Sequence, residues 1–209
     1  MIEEAYWNSF YSQSIMENKL LPSQFSVFFL NEIGCDKFNI IDIGCGNGRD
    51  SFMFANFHNV IGVDSSIEAI NFCSNRGVNN TKFISLSIDD VKLSNQIKKI
   101  ISESDSSNNV IYSRFFLHAI NEESQAKFLN LARGLLKEGE LLFLEFRTDK
   151  DKFQKKMTQN HYRRFINPLR LMEEAMAIDF KVTYFIEGYG FAKYKEDDAY
   201  VARVILQAI

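Results

Sequence analysis

The chain has 209 residues, 46 % of them hydrophobic and 14 % aromatic, which suits one domain with a sizeable core. Charged residues make up 24 % and the formal net charge is −3, so whole-chain electrostatics give no reason to expect a nucleic-acid partner. No apolar run approaches the roughly 20 residues that span a membrane, and the acidic, aromatic start MIEEAYW is unlike a signal peptide.

In chain order, the first feature is EAYWNSFYSQ, where Tyr6, Trp7, Phe10 and Tyr11 fall at i,i+4 spacing and form one stripe on a helix. Strands are predicted at Phe38–Ile43, Val60–Val63, Lys82–Leu86, Val110–Ser113 and Glu140–Phe146. Helical patterns lie between them, at Asp50–Phe57, Ser66–Asn75, Ser94–Ile101 and Glu122–Leu136. This alternation argues a doubly wound α/β fold, a parallel sheet with helices on both faces. SESDSSNN, residues 102–109, reads as a mobile surface loop. Beyond residue 147 come a basic stretch, a helix from Pro168 to Ala177, and two strands near Asp179–Glu187 and Ala199–Gln207. GYGFAKYKED joins those strands as a hairpin-like loop. The three cysteines, Cys35, Cys45 and Cys73, lack metal-type spacing and fit reduced thiols in the cytoplasm; no metal is expected.

The chemistry begins at DIGCGNG. Gly44, Gly46 and Gly48 sit at the carboxyl end of the first strand, before a helix N-terminus, where open α/β sheets bind ligands. A glycine there removes the Cβ that would collide with a ligand lying on the backbone. A dinucleotide fingerprint, G-x-G-x-x-G, would need its third glycine at position 49, which is Arg49. The second strand, VIGVD, ends in Asp64, twenty residues after Gly44, where a carboxylate accepts bonds from ribose hydroxyls.

IIDIGCGNGRDS, VIGVDSS, VIYSRFFLHAI and LLKEGELLFLEFRT, in that order over residues 38–147, resemble the class I S-adenosylmethionine-dependent methyltransferases. The resemblance implies a mainly parallel seven-stranded sheet with a C-terminal antiparallel hairpin, the Rossmann-like methyltransferase fold. It implies one domain over residues 1–209, with a helical lid at 1–30 and a substrate-side insert at 148–178. It places S-adenosylmethionine against Asp42, Gly44, Cys45, Gly46 and Gly48, with Asp64 on the ribose and Ser65 and Ile67 along the adenine. Ser87, Ile88 and Asp89 follow the third strand, where the family commonly has an acid for the adenine amino group. Ser87 or Asp89 can take that bond, and the sequence leaves the choice open. Tyr6, Trp7 and Tyr11 are lid candidates that shield the sulfonium, with plain packing as the alternative.

Ser113 and Arg114 end the fourth strand, toward the methionine portion of the cofactor. His118 follows one turn later and is the candidate base for a neutral hydroxyl acceptor. Arg114 is the second catalytic candidate; a packed histidine stays open for His118, and a salt bridge to a neighbouring acid for Arg114. Glu145 and Arg147, two apart on the fifth strand, share one side of the sheet, which permits a mutual ion pair or joint substrate contact. In residues 151–170, six Lys or Arg accompany a single Asp, and HYRRF adds His161 and Tyr162 to Arg163 and Arg164. Adjacent guanidiniums suit an anionic acceptor, and a solvated loop is the competing account. The late segments are loosely similar to small bacterial methyltransferases of capsular polysaccharide and phosphoramidate modification. The expected partner is therefore a small acceptor, with O-methylation expected and oligomeric state left open. Competing readings are sugar-hydroxyl or nucleic-acid methylation, a dinucleotide-dependent dehydrogenase, and a non-catalytic nucleotide-binding module.

Overall fold

The computed structural model describes residues 6–9, 21–153, 162–194 and 196–209. Seven strands form one mixed, mostly parallel sheet in the order β3-β2-β1-β4-β5-β9-β6, with a separate two-stranded ladder, β7-β8. This is the seven-stranded α/β architecture expected from the sequence. Among the described residues no helix is long and apolar enough to cross a membrane. The chain divides into two compact units, residues 1–110 and 111–209.

In the first unit, α1 (Gln24–Ile33) precedes β1 (Asn39–Ile43), α2 (Arg49–Phe54), β2 (Asn59–Asp64), α3 (Ile67–Asn75), β3 (Thr81–Ser85) and α4 (Leu93–Ser102). β1 pairs in parallel with β2, and β2 with β3. Every residue of β1 is buried, as a parallel strand covered on both faces requires. Ser23 caps α1 by accepting from the Ser26 N–H at 3.0 Å. The same serine donates its hydroxyl and its N–H to the two oxygens of Asp50, both at 2.7 Å, which ties α1 to the first turn of α2. Phe29 and Phe54 seal that contact with ring centroids 4.9 Å apart. Residues 6–9 are helical.

The loop at 102–109 is more tightly held than its composition suggests. Asn39 donates to the Ser106 carbonyl at 2.9 Å and to Asn109 Oδ1 at 3.0 Å. Asn59 donates to Ser104 Oγ at 2.9 Å and to Asp105 Oδ1 at 2.8 Å. Lys37 closes an ion pair with Asp105 at 2.7 Å. Short polar side chains that look disordered by composition instead satisfy the open ends of two strands.

The second unit contains the remainder of β4 (Asn109–Arg114), then α5 (Glu122–Leu135), β5 (Leu141–Arg147), α6 (Pro168–Met176), β6 (Phe180–Gly188), β7 (Lys193–Tyr194), β8 (Asp197–Asp198) and β9 (Val201–Ala208). β9 pairs antiparallel with both β5 and β6. Asn121 caps α5 and Asn167 caps α6, with Pro168 at the first helical position. The loop between the last two long strands carries the short β7-β8 ladder, which alternation of apolar residues could not reveal over two-residue strands.

Candidate functional site

The glycine turn is built by backbone geometry that side chains disfavour. Gly44, Gly46 and Gly48 have φ of 77°, 53° and 74°, all left-handed. The N–H groups of Gly44 and Cys45 both donate to the Val63 carbonyl, at 2.8 and 3.0 Å, and so fasten the turn to the end of β2. Gly48 has a packing reason as well. A Cβ there would meet Cys73 Sγ at 2.8 Å and the Phe52 ring at 2.9 Å, so α2 can start close to α3 only with glycine at this position.

Asp64 links this turn to the start of α3. Its Oδ2 accepts from the Gly46 N–H and its Oδ1 from the Ser66 N–H, each at 2.9 Å. An ionised carboxylate has about four lone-pair positions, so both oxygens keep acceptor capacity for a diol. Burial pushes the Asp64 carboxyl above its ordinary value, while the N–H groups of Ser66, Gly46 and Ser65 pull it back. Asp42 is buried and accepts the Ser51 hydroxyl at 2.5 Å. Cys45 and Cys73 are buried, with Sγ atoms 3.8 and 3.4 Å from the Gly46 carbonyl. Burial foremost, then the Cys73 hydrogen bond and the charges of Asp42 and Asp64, hold the Cys45 thiol protonated. Both thiols lie against the underside of the turn, at the Gly46 carbonyl.

At the rim of this unit Ile67 is 46 % exposed and Ser65 half-buried. After β3, Ser87 Oγ accepts from the Asp89 N–H at 3.2 Å, and both side chains are exposed. Ile88 between them is half-buried. Asp90 accepts from the Lys92 N–H at 2.8 Å just before α4. Tyr6 and Trp7 meet edge to face at 5.1 Å. Next to them Asn8 accepts the Ser66 hydroxyl at 2.7 Å, a contact that nothing in the local sequence announces. Tyr11 lies outside the described residues.

In the second unit, Ser113 is buried at the end of β4. Arg114 donates from Nε to Glu145 Oε1 at 2.8 Å, and Arg203 donates from Nε to Oε2 at 2.8 Å. Glu145 and Arg203 are direct cross-strand partners in the β5–β9 register, which explains the pair. Burial pushes Glu145 up, and the two arginines pull it back. Arg147 bonds Asp151 at 2.8 Å and Asp197 at 2.7 Å, so Glu145 and Arg147 each pair elsewhere rather than with one another. Arg203, a charge inside the apolar run VARVIL, was the overlooked signal.

Phe115 sits among these charges. Its φ is 56°, a strained value for a bulky residue. Its N–H donates to the Glu145 carbonyl at 2.8 Å, and the Arg114 guanidinium lies 4.2 Å from its ring centroid. His118, buried in the short helical turn Leu117–Ala119, meets the same ring edge-on at 5.2 Å.

The basic segment joins this turn directly. The Arg164 N–H donates to the His118 carbonyl at 2.8 Å. The Arg164 guanidinium reaches Gln125 Oε1 at 2.5 Å and the Leu117 carbonyl at 3.4 Å, so it is engaged with α5. Burial lowers the Arg164 value, and Tyr162, Glu122 and Glu174 act against that. Arg163 is half-buried and Tyr162 is exposed. His161 lies outside the described residues. Ile166 bridges to Thr148 in parallel, which returns the segment to the end of β5.

Residues 36–187 match the family model described as Methyltransferase domain. No curated protein matches the chain. Among solved structures the chain is similar to a SAM-dependent methyltransferase from Anabaena variabilis, with a TM-score of 0.72 and 18 % identity, covering 99 % of this chain and 95 % of the other. It is similar to a SAM-dependent methyltransferase from Aquifex aeolicus, with a TM-score of 0.67 and 15 % identity over 97 % and 98 % of the two chains. A glycopeptide N-methyltransferase, MtfA, complexed with S-adenosyl-L-methionine has a TM-score of 0.67 and 11 % identity over 90 % and 95 %. At these identities the likeness is one of fold.

Proposed function

The chain belongs to the methyltransferase domain family, and from that premise we infer that it uses S-adenosylmethionine to methylate an oxygen of a small anionic acceptor. The observation that carries the inference is the 2.8 Å bond from the Arg164 N–H to the His118 carbonyl. It puts the one strongly basic segment of an acidic chain against the turn that bears the candidate base.

S-adenosylmethionine supplies an electrophilic methyl group on a sulfonium, so alignment and exclusion of water do most of the catalysis. On this chain the bare turn of Asp42, Gly44, Cys45, Gly46 and Gly48 and the diol-accepting Asp64 would hold it. Ser65, Ile67 and Ile88 would line the adenine, and Ser87 or Asp89 would accept from its amino group. Ser113 would lie toward the methionine portion. The fit rests on the left-handed glycines and on the spare acceptor capacity of Asp64.

Arg163 would offer the anionic group the planar fork of donors that suits it, and the guanidinium of Arg164 is engaged with Gln125. Glu145, Arg114 and Arg147 support this side as an ion-paired frame around Phe115. Tyr6 and Trp7 would contribute to the cover over the cofactor, and Tyr11 and His161 stay candidates for the cover and for the acceptor side respectively. His118 takes the proton when the acceptor is a neutral sugar hydroxyl, which is the second reading and is favoured by its place in this frame. The whole chain is proposed to work as one methyltransferase domain; in support, the family match over residues 36–187 runs through both compact units. Acceptors of this chemistry occur in capsular polysaccharide and phosphoramidate modification. The three free cysteines support work in the cytoplasm.

The test is mass spectrometry after incubation with cofactor and a panel of sugar phosphates, phosphoramidates, hydroxy acids and uncharged analogues. A methyl gain on anionic members is expected. Methylation confined to uncharged sugars or to nucleic acid would refute the reading.

A further inference from the structure

We propose that Asn8 is a positioning residue for the cofactor, acting through Ser66 on Asp64; this rests on Asp64 as the ribose acceptor. Ser66 is completely buried. Its backbone N–H holds Asp64 Oδ1 at 2.9 Å, and its hydroxyl accepts from the Ala69 N–H at 3.3 Å as the cap of α3. That hydroxyl has one proton, and the proton goes to Asn8 Oδ1 at 2.7 Å. Asn8 therefore fixes the rotor, directs the oxygen lone pairs at the helix start, and strengthens the cap by polarising the same O–H.

Without Asn8 the buried hydroxyl must turn its proton elsewhere, and every alternative competes with the cap. The peptide that carries Ser66 N–H then loosens, and with it the Oδ1 side of Asp64. Asp64 also bonds Gly46, so the disturbance reaches the glycine turn through one carboxylate. Coupling of this kind is reciprocal: whatever binds Asp64 in its ionised, oriented form also steadies helical residues 6–9. The chain contains one tryptophan, Trp7, adjacent to Asn8. Its fluorescence reports on this segment directly.

The experiment titrates S-adenosylhomocysteine into wild type, Asn8→Ala, Ser66→Thr, Ser66→Ala and the Asn8→Ala/Ser66→Ala double variant. Binding is read by calorimetry and by Trp7 fluorescence, with Asp64→Ala as the reference. Asn8→Ala should lower affinity by about five- to tenfold, the factor carried by one hydrogen bond on a buried hydroxyl. It should also reduce the fluorescence response, with kcat at saturating cofactor unchanged. Ser66→Thr keeps both the donor and the cap but adds a methyl at a buried position, and it should bind more tightly than Ser66→Ala. In the Ser66→Ala background, Asn8→Ala should cost nothing more. If Asn8→Ala binds within twofold of wild type while Asp64→Ala binds poorly, the ribose reading stands and the positioning role falls. If Asp64→Ala also binds normally, both fall. Additive losses in the double variant would likewise overturn the coupling.

Discussion

Replacing Arg164 by alanine removes the bond to Gln125 Oε1 and the longer one to the Leu117 carbonyl. Gln125 is 4 % exposed, and its Nε2 already donates to Glu174 at 2.6 Å, so its oxygen would be left without this partner where water is scarce. A hydrogen bond to a charged group contributes about 1.5–3 kcal/mol. The pair with Glu122, at 4.0 Å and largely exposed on the acid side, adds little to that. Arg164→Ala should therefore lower unfolding free energy by about 1.5–3 kcal/mol, measured as a shifted urea midpoint at constant slope. Arg163 is half-buried beside it, and Arg163→Ala is to be read through activity rather than stability. It should lower kcat/KM on an anionic acceptor by roughly ten- to a hundredfold, and hardly at all on an uncharged analogue. Arg163→Lys should restore only part of the loss, because an ammonium lacks the planar fork. A fully stable Arg164→Ala that fails on the anionic acceptor would refute this division of roles. So would an Arg163→Ala that behaves as wild type on both acceptors.

With Asp64 as the ribose acceptor proposed above, its raised value would set a pH dependence for cofactor binding. Ribose hydroxyls donate to the ionised form, so S-adenosylhomocysteine affinity is complete above the folded value and falls as pH drops through it, beginning above the ordinary 3.8; calorimetry across pH should show this step, and Asp64→Asn should remove it. Gly48→Ala forces a Cβ to within 2.8 Å of Cys73 Sγ at a left-handed φ, and should cost about 1–3 kcal/mol in thermal unfolding together with weaker cofactor binding. An unchanged melting temperature would show that α2 and α3 can part without cost. His118→Ala should lower turnover of a neutral hydroxyl acceptor by about 10²–10⁴-fold with little change in cofactor affinity; equal turnover would remove the base from the mechanism.

The strand–helix alternation was readable because the buried strands are short apolar runs, closed by Gly44 after β1 and by Asp64 at the end of β2, and β1, β2 and β5 fall within a residue or two of the expected bounds. The glycine turn and Asp64 were readable for the same reason, since a motif is local. What could not be read was pairing over long separations. Glu145 with Arg203, Arg164 with Gln125 and Asn8 with Ser66 are separated by 58, 39 and 58 residues. Nothing in periodicity selects one partner among many for a charge or an amide. The loop at 102–109 misled for a related reason. Serine and asparagine favour disorder only when nothing nearby needs their hydrogen bonds.

Asn39 and Asn59 do more than close that loop. They are Cα partners in the β1–β2 pairing, and their carboxamides meet at 3.3 Å. The rest of the two strands, NIIDI and NVIGVD, is almost wholly buried and shows little of the apolar–polar alternation that normally fixes alignment. A slip of one residue would bury much the same surface. It would also part the two amides from each other and from Ser104. The asparagines thus act as an alignment key at one end of a strand pair that hydrophobicity alone would leave free to slide. Its effect is felt at the other end, where Ile43 pairs with Val63. Only in that alignment does Asp64 stand where Gly46 can reach it.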